Sequence, residues 1–307
     1  MKKVLFLLLA AMMAVGTAKG TEYAGTCGAE DDGANLSWVL NTESGELSIS
    51  GHGAMGKDRP WKPYSDSIIS IKINKGVTSI APYAFSRCRN LQSVQLPSTL
   101  VEIHDKAFSQ SGIRAITIGS LKRFGSSVFD RCEELRSVTF GDTVKSFGRG
   151  CFNMCVNLEH IVLPKYVHHM GFYSFVVHCD KLPVTDDIRY ADTYLAKAAV
   201  KDKKHYVVRK GTKWIEEFAF SDCEQMQTIT LPASVIEIGT NAFRNCVSLQ
   251  SVTCLAVTPP EMRMGLHSDG CFGGVDCAKV VLYVPKKSVE LYKKDRYWGK
   301  FLIVPIK

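Results

Sequence analysis

The stretch VTSIAPYAFSRCRNLQSVQLP, Val77 to Pro97, decides how the chain folds, because it recurs. Phe85 begins a series with Phe108, Phe129, Phe152, Phe175, Phe220 and Phe243, at intervals of 23, 21, 23, 23, 45 and 23 residues. The long interval is close to two units. Five residues ahead of each Phe stands an apolar residue: Ile80, Ile103, Phe124, Phe147, Met170, Ile215 and Ile238. Directly ahead stands a small one: Ala84, Ala107, Val128, Cys151, Ser174, Ala219 and Ala242. Three residues behind come Cys88, Ser111, Cys132, Cys155, His178, Cys223 and Cys246. A period in this range is the signature of a solenoid.

Each unit has two parts. An L-x-x-V-x-L piece alternates and reads as a short strand with one face inward, ended by Pro97, Pro164 or Pro232, or by Gly119 or Gly141. The I-x-x-x-A-F-x-x-C piece has apolar spacing suited to a turn or short helix that brings the chain back. One coil cannot bury its own apolar side, whereas stacked coils set Phe on Phe and Leu on Leu. The expected fold is an α/β solenoid, a right-handed superhelix of coils about 23 residues long.

The flanks differ from the array. Lys2 and Lys3 precede an apolar run from Val4 to Val15, followed by Ala18-Lys19-Gly20. This reads as a secretory signal peptide cleaved near Gly20, with an apolar run too short to span a bilayer. Cys27 lies too far beyond that run for a lipoprotein. Cleavage removes Lys2, Lys3 and Lys19, leaving 35 basic and 30 acidic residues, a balance too even to argue for nucleic acid. No other apolar stretch is long enough to cross a membrane. Leu36–Leu40 and Glu46–Ser50 alternate around the turn Thr42–Gly45 and suggest a β-rich cap. Ser288–Tyr297 reads as a short amphipathic helix, with Val289, Leu291, Tyr292 and Trp298 covering the last coil. The expected organisation is a signal peptide at 1–20, an N-terminal cap at 21–76, a solenoid at 77–254 with a hairpin insertion at about 186–212, and a strand-plus-helix C-terminal cap at 255–307.

The repeat resembles the BspA-type leucine-rich repeat family of exported bacterial surface and adhesion proteins. The flanks extend the likeness over nearly the whole mature chain. Cys27 to Trp61 is similar to the segment that precedes such arrays, and Val252 to Pro260, Leu282 to Phe301 and Ile303 to Ile306 resemble the family's closing segment. The resemblance implies adhesion to a protein of a host or neighbouring cell.

The array departs from its pattern between Lys181 and Thr212. Pro183, Asp186 and Asp187 break the strand, and the following residues read as two strands joined by the turn Lys201-Asp202-Lys203-Lys204. Insertions in solenoids often sit on a binding face. The candidate binding residues are therefore Tyr190, Tyr194, Lys203, Lys204 and Tyr206, with His160 and Val162 on the neighbouring strand.

Eleven cysteines in an exported protein would ordinarily suggest disulfides. Five of them, Cys88, Cys132, Cys155, Cys223 and Cys246, occupy one rung. Stacked strands hold such side chains about 5 Å apart and parallel, whereas a disulfide needs Cβ atoms near 3.8 Å. They are expected to be buried thiols. A bridge from Cys254 to Cys271 or Cys277 stays open. His168, His169, His178 and Cys179 lack the clustered spacing of a zinc site. No G-x-S-x-G, H-E-x-x-H or phosphate loop occurs, so no catalytic residue, metal or cofactor is expected.

The basic clusters at Lys201–His205, Arg209–Lys213 and Lys286–Lys294 read as solvated turns and a helix face, with sulfated glycans or acidic proteins as the alternative partners. The outward strand positions, from Ser93 and Gln95 to Ser251 and Thr253, are small, polar and largely uncharged. A wide, shallow face of this kind suits a macromolecule better than a small molecule. The expected function is non-enzymatic binding of an extracellular or cell-surface protein. Two alternatives are a carbohydrate-binding module, aided by Trp38, Trp61 or Trp214, and a structural self-assembling protein.

Overall fold

Leu36, Trp38 and Leu40 alternate with Ser37, Val39 and Asn41, so strand Leu36–Asn41 buries one side and exposes the other. The computed structural model describes residues 21–306 except Asp31, Phe172, Val176, Val177 and 265–269. The signal peptide expected at 1–20 lies outside the described residues. The chain divides into two units, residues 1–148 with 164–169, and residues 149–163 with 170–307.

In the N-terminal unit, strands Glu22–Thr26, Leu36–Asn41 and Glu46–Gly51 form an antiparallel meander, with Trp38 opposite Ile49 and Leu40 opposite Leu47. The free side of Glu46–Gly51 then takes a parallel partner, Ser70–Ile73, which pairs in turn with Ser93–Gln95. Strands Ala115–Ile118 and Ser137–Phe140 pair with each other in parallel in a further sheet. A second parallel sheet holds Gly53–Ala54, Val77–Ile80, Glu102–Ile103 and Arg123–Phe124. The unit is a β-solenoid.

The C-terminal unit repeats the plan. One sheet stacks His205–Val207, Thr228–Leu231, Ser251–Cys254, Val281–Val284 and Leu302–Pro305, all parallel. The other holds Tyr194–Ala198, Trp214–Ile215, Glu237–Ile238 and Glu261–Met262.

The return arm corrects the expected α/β character. It consists of turns, and the only α-helix among the described residues is Val289–Lys294. The reason lies in the backbone. Two residues before the ladder Phe, Tyr83, Lys106, Ser127, Tyr173, Phe218 and Asn241 have φ near +60°. Two residues after it, Arg87, Gln110, Arg131, Met154, Asp222 and Asn245 do the same. Left-handed residues at such intervals cannot continue a right-handed helix. The N–H groups accordingly turn to the next coil. Phe85 N–H donates to Ala107 O (2.8 Å) and Arg87 N–H to Ser109 O (2.9 Å), and Phe220 and Asp222 repeat the pattern with Ala242 and Arg244. Each arm thus forms a ladder across coils.

Aromatic rings fill the space inside. In the N-terminal unit Trp61, Phe85, Phe108 and Phe129 succeed one another at centroid distances of 5.4–5.7 Å. In the C-terminal unit Phe220 and Phe243 lie 5.3 Å apart, and Phe272 adds a further rung 4.7 Å from Phe243. Trp61 and Phe272 extend the ladder beyond the seven phenylalanines of the repeat. At the end of the chain Tyr292 and Trp298 are buried, but Leu291, expected to cover the last coil, is exposed. The helix is shorter than expected because Asp295 leaves the helical region at ψ 134°.

The first rung shows how the stack is closed. The arm of Phe85 offers the carbonyls of Ala84 and Ser86, which an earlier arm would pair. Instead, the Trp61 indole N–H donates to Ala84 O (2.8 Å), and the Arg59 guanidinium donates to Ala84 O (3.2 Å) and Ser86 O (2.6 Å). Buried carbonyls need partners, and here side chains supply them.

Candidate functional site

The outward side of the five-stranded sheet is a regular surface of the C-terminal unit. Tyr206, Ile229, Val252 and Leu282 are in register and point inward. Two rows therefore point outward. One runs His205, Thr228, Ser251, Val281, Leu302, and the other Val207, Thr230, Thr253, Tyr283, Val304. His205 Nδ1 lies 3.0 Å from Thr228 Oγ1. Val207 is 58% exposed and Leu302 51%, and Tyr283 and Val304 are also exposed. The face is hydroxyl-rich at its middle, apolar at the margin of Leu302 and Val304, and mixed at the other, where His205 stands with Val207. In the N-terminal unit the matching positions Ser93, Gln95, Ala115, Thr117 and Thr139 are exposed and small or polar throughout.

The structure separates the residues expected around the insertion. His160 and Val162 are exposed on strand His160–Val162, and Lys204 is exposed. Lys203 is half-buried, 2.7 Å from an Asp187 carboxylate oxygen. Tyr190, Tyr194 and Tyr206 are buried and offer no surface. Their rings belong to the core, Tyr206 edge-on to Phe220 at 5.2 Å and Tyr194 against Phe175 at 5.1 Å. Tyr190 has the Arg209 guanidinium 4.3 Å from its ring centroid, and its hydroxyl oxygen accepts the Arg209 N–H. Trp38, Trp61 and Trp214 are buried as well and give no exposed ring for a sugar.

The hairpin itself is smaller than expected and turns elsewhere. Ile188–Ala191 pairs antiparallel with Tyr194–Ala198, so the turn is Asp192-Thr193, not Lys201–Lys204. The rest of the segment rejoins the stack, with Leu195 in register with Ile215 and Tyr206 with Ile229. One sign of this stood in the sequence: His205-Tyr206-Val207-Val208 repeats the pattern of His160-Ile161-Val162-Leu163. His205 and Val207 are thus strand-face residues that the broken repeat concealed.

Six copies of the BspA type leucine-rich repeat region match residues 63–182 and 202–260, more than half of the chain. The chain belongs to the BspA-type leucine-rich repeat family. The unmatched residues 183–201 contain the hairpin. Among solved structures, a leucine-rich repeat protein from Eubacterium ventriosum is similar at 18% identity, covering 93% of this chain and 86% of that one, with a TM-score of 0.44. A leucine-rich cell surface protein from Faecalibacterium prausnitzii is 19% identical, covering 92% and 94%, with a TM-score of 0.39. The pneumococcal vaccine antigen PcpA is 14% identical, covering 92% and 100%, also with a TM-score of 0.39. No curated protein matches the chain.

The cysteines of this BspA-type chain serve its ladder. The Cys132 thiol donates to Phe108 O (3.0 Å) and the Cys246 thiol to Phe220 O (3.2 Å). Cys179, not His178, holds this position in the coil of Phe175, donating to Phe152 O (3.2 Å) while His178 is exposed. Burial pushes the Cys88, Cys132, Cys179 and Cys246 thiols up to about 12, far from a nucleophile's range. The bridge left open at Cys254 is not formed: Cys254, Cys271 and Cys277 are free thiols, and Cys254 Sγ accepts from the Tyr292 hydroxyl (3.2 Å).

One buried carboxylate has a role the sequence did not announce. The coil after Phe175 lacks an A-F arm, so the Phe175 N–H meets no carbonyl there. The Glu216 carboxylate accepts it (3.0 Å), accepts the Glu217 N–H (3.0 Å) and bonds the Tyr194 hydroxyl. Burial raises the Glu216 pKa to about 7. Nearby, Glu237 pairs with Arg263 at 2.6 Å. Among the described residues no group of three or more His, Cys, Asp or Glu could hold a metal ion, and no helix is long and apolar enough to cross a membrane. Glu216 mends the ladder where the repeat fails, which is a structural task.

Proposed function

We propose that this chain is an exported, cell-surface protein that binds another extracellular protein and performs no catalysis. The observation that carries the reading is the outward face of the C-terminal sheet, where Val207, Tyr283, Leu302 and Val304 are exposed around a hydroxyl-rich middle. An exposed tyrosine such as Tyr283 is a common anchor of protein interfaces, and apolar neighbours around it help to exclude water. Family membership supports a surface location and adhesion to a host or neighbouring-cell protein. His160 and Val162 provide a smaller face of the same kind, and Lys204 a cation beside the insertion.

The test is capture from cell-surface and extracellular-matrix extracts by the mature chain. The double variant Val207→Glu/Leu302→Glu should lose the captured protein, and Lys204→Glu should weaken it less. Unchanged capture by the double variant would remove the strand face from consideration. A mass by size-exclusion chromatography corresponding to large assemblies, with nothing captured, would favour the self-assembling alternative.

A further inference from the structure

A groove of about 690 Å³ lies on the turn arms of the N-terminal unit. Five cationic side chains line it, Arg59, Lys62, Arg87, Arg89 and Lys106, against the carboxylates of Asp66 and Asp130. Among the described residues Lys62, Arg87, Arg89 and Lys106 form no ion pair. Five cations against two carboxylates give the groove a net charge of +3, and a cleft lined mainly by one sign of charge attracts the opposite sign strongly.

The backbone of the arm sets where two of these cations stand. Arg87 and Lys106 occupy left-handed backbone at φ +66° and +57°, as do Tyr83 and Gln110 at +60°. The coil of Phe243 fills both of these positions with asparagine, Asn241 and Asn245, which tolerates that conformation better. The Tyr83 ring is 46% exposed, with Lys106 Nζ 5.5 Å from its centroid. A cation thus covers one side of a partly exposed aromatic ring.

The backbone of the groove is already used. The N–H groups of Tyr83, Phe85 and Arg87 donate to Asp105, Ala107 and Ser109, and Arg59 and Trp61 occupy the carbonyls of Ala84 and Ser86. No strand edge remains for a peptide to extend, and the lining offers no apolar pocket for its side chains. Recognition must come from charge and from the tyrosine ring. The lining residues derive from four successive coils, a span of about 14 Å at the ~4.8 Å spacing of stacked strands. A single small anion fills only part of that length.

We propose that this groove binds an anionic polysaccharide, its sulfate or carboxylate groups meeting Arg87, Arg89 and Lys106 and a sugar ring lying against Tyr83. The site is independent of the strand face and stands or falls without it.

The test is retention of the mature chain on immobilised heparin at low salt. The variant Arg87→Asn/Arg89→Ser/Lys106→Asn removes three cations with residues that suit the local backbone. The control Lys286→Ser/Lys287→Ser/Lys294→Ser removes three from the other end of the chain. The groove variant should lose affinity about tenfold or more, the control about twofold or less, and salt should weaken the wild type steeply. Tyr83→Asn should weaken binding several-fold with the charge unchanged. Dextran sulfate should compete better than poly-glutamate of equal charge. The thermal midpoint of the groove variant should equal or exceed that of the wild type, and Arg89→Ser alone, outside the strained positions, should still weaken binding. Absence of wild-type retention, equal losses in the groove and control variants, or equal competition by poly-glutamate would overturn the proposal.

Discussion

Glu216 offers the sharpest test of how the interrupted ladder is mended. Its carboxylate is buried and accepts the N–H groups of Phe175 and Glu217 and the Tyr194 hydroxyl. Burial is the largest influence on it and raises its pKa from 4.5 to about 7, and Glu217 beside it is raised as well. A raised pKa means that the folded chain holds a proton that the unfolded chain has released. Stability present below pH 4.5 is therefore lost as pH rises to about 7, and is flat above. At about 1.36 kcal/mol per pKa unit the whole window is worth about 3 kcal/mol. Roughly 2 kcal/mol of this falls between pH 5 and pH 7.5. Urea unfolding of the wild type and of Glu216→Gln at these two pH values measures it. The glutamine cannot titrate, so the difference between the two proteins should change by about 2 kcal/mol in the stated direction. Parallel pH profiles would refute the assignment. Glu216→Ala goes further and leaves two buried N–H groups unpaired, at about 1–3 kcal/mol each.

Trp61→Ala should cost about 3–5 kcal/mol in urea unfolding, because the indole both stacks on Phe85 and pairs the Ala84 carbonyl. Phe272→Ala should cost a similar ~3–5 kcal/mol, since its ring is the rung between Phe243 and the Trp298–Phe301 pair. Arg87→Gly should stabilise the chain by roughly 0.5–1 kcal/mol, because glycine relieves the φ of +66° and the arginine side chain is exposed. Thiol labelling of the native protein should reach half-buried Cys277 first, while Cys132 and Cys246 react only on unfolding.

Much of the regular array was readable in advance. The spacing of Phe85, Phe108 and Phe129 and the alternation of Ser93-Val94-Gln95 report burial directly, and stacking makes burial periodic. The insertion was not readable in the same way. Once Pro183 breaks the strand, the register no longer says whether Tyr190, Tyr194 and Tyr206 point in or out, and aromatic residues suit either side. The return arm was ambiguous for a different reason. The spacing from Ile80 to Phe85 fits a helical turn and a tight turn alike, because both place these side chains on one side.

Coil length, the inward residues of regular coils and the family follow from local patterns repeated along the chain. The remaining features come from contacts between coils. It took the neighbouring coil to send the N–H groups outward and make turns of the arm. It took a contact between residues 41 apart for Glu216 to reach Phe175. It took stacking to gather Arg59, Arg87 and Lys106 around one groove. Hydrogen-bond partners and concentrated charge depend on which groups meet across coils, and no short stretch such as Val77 to Pro97 contains both members of those pairs.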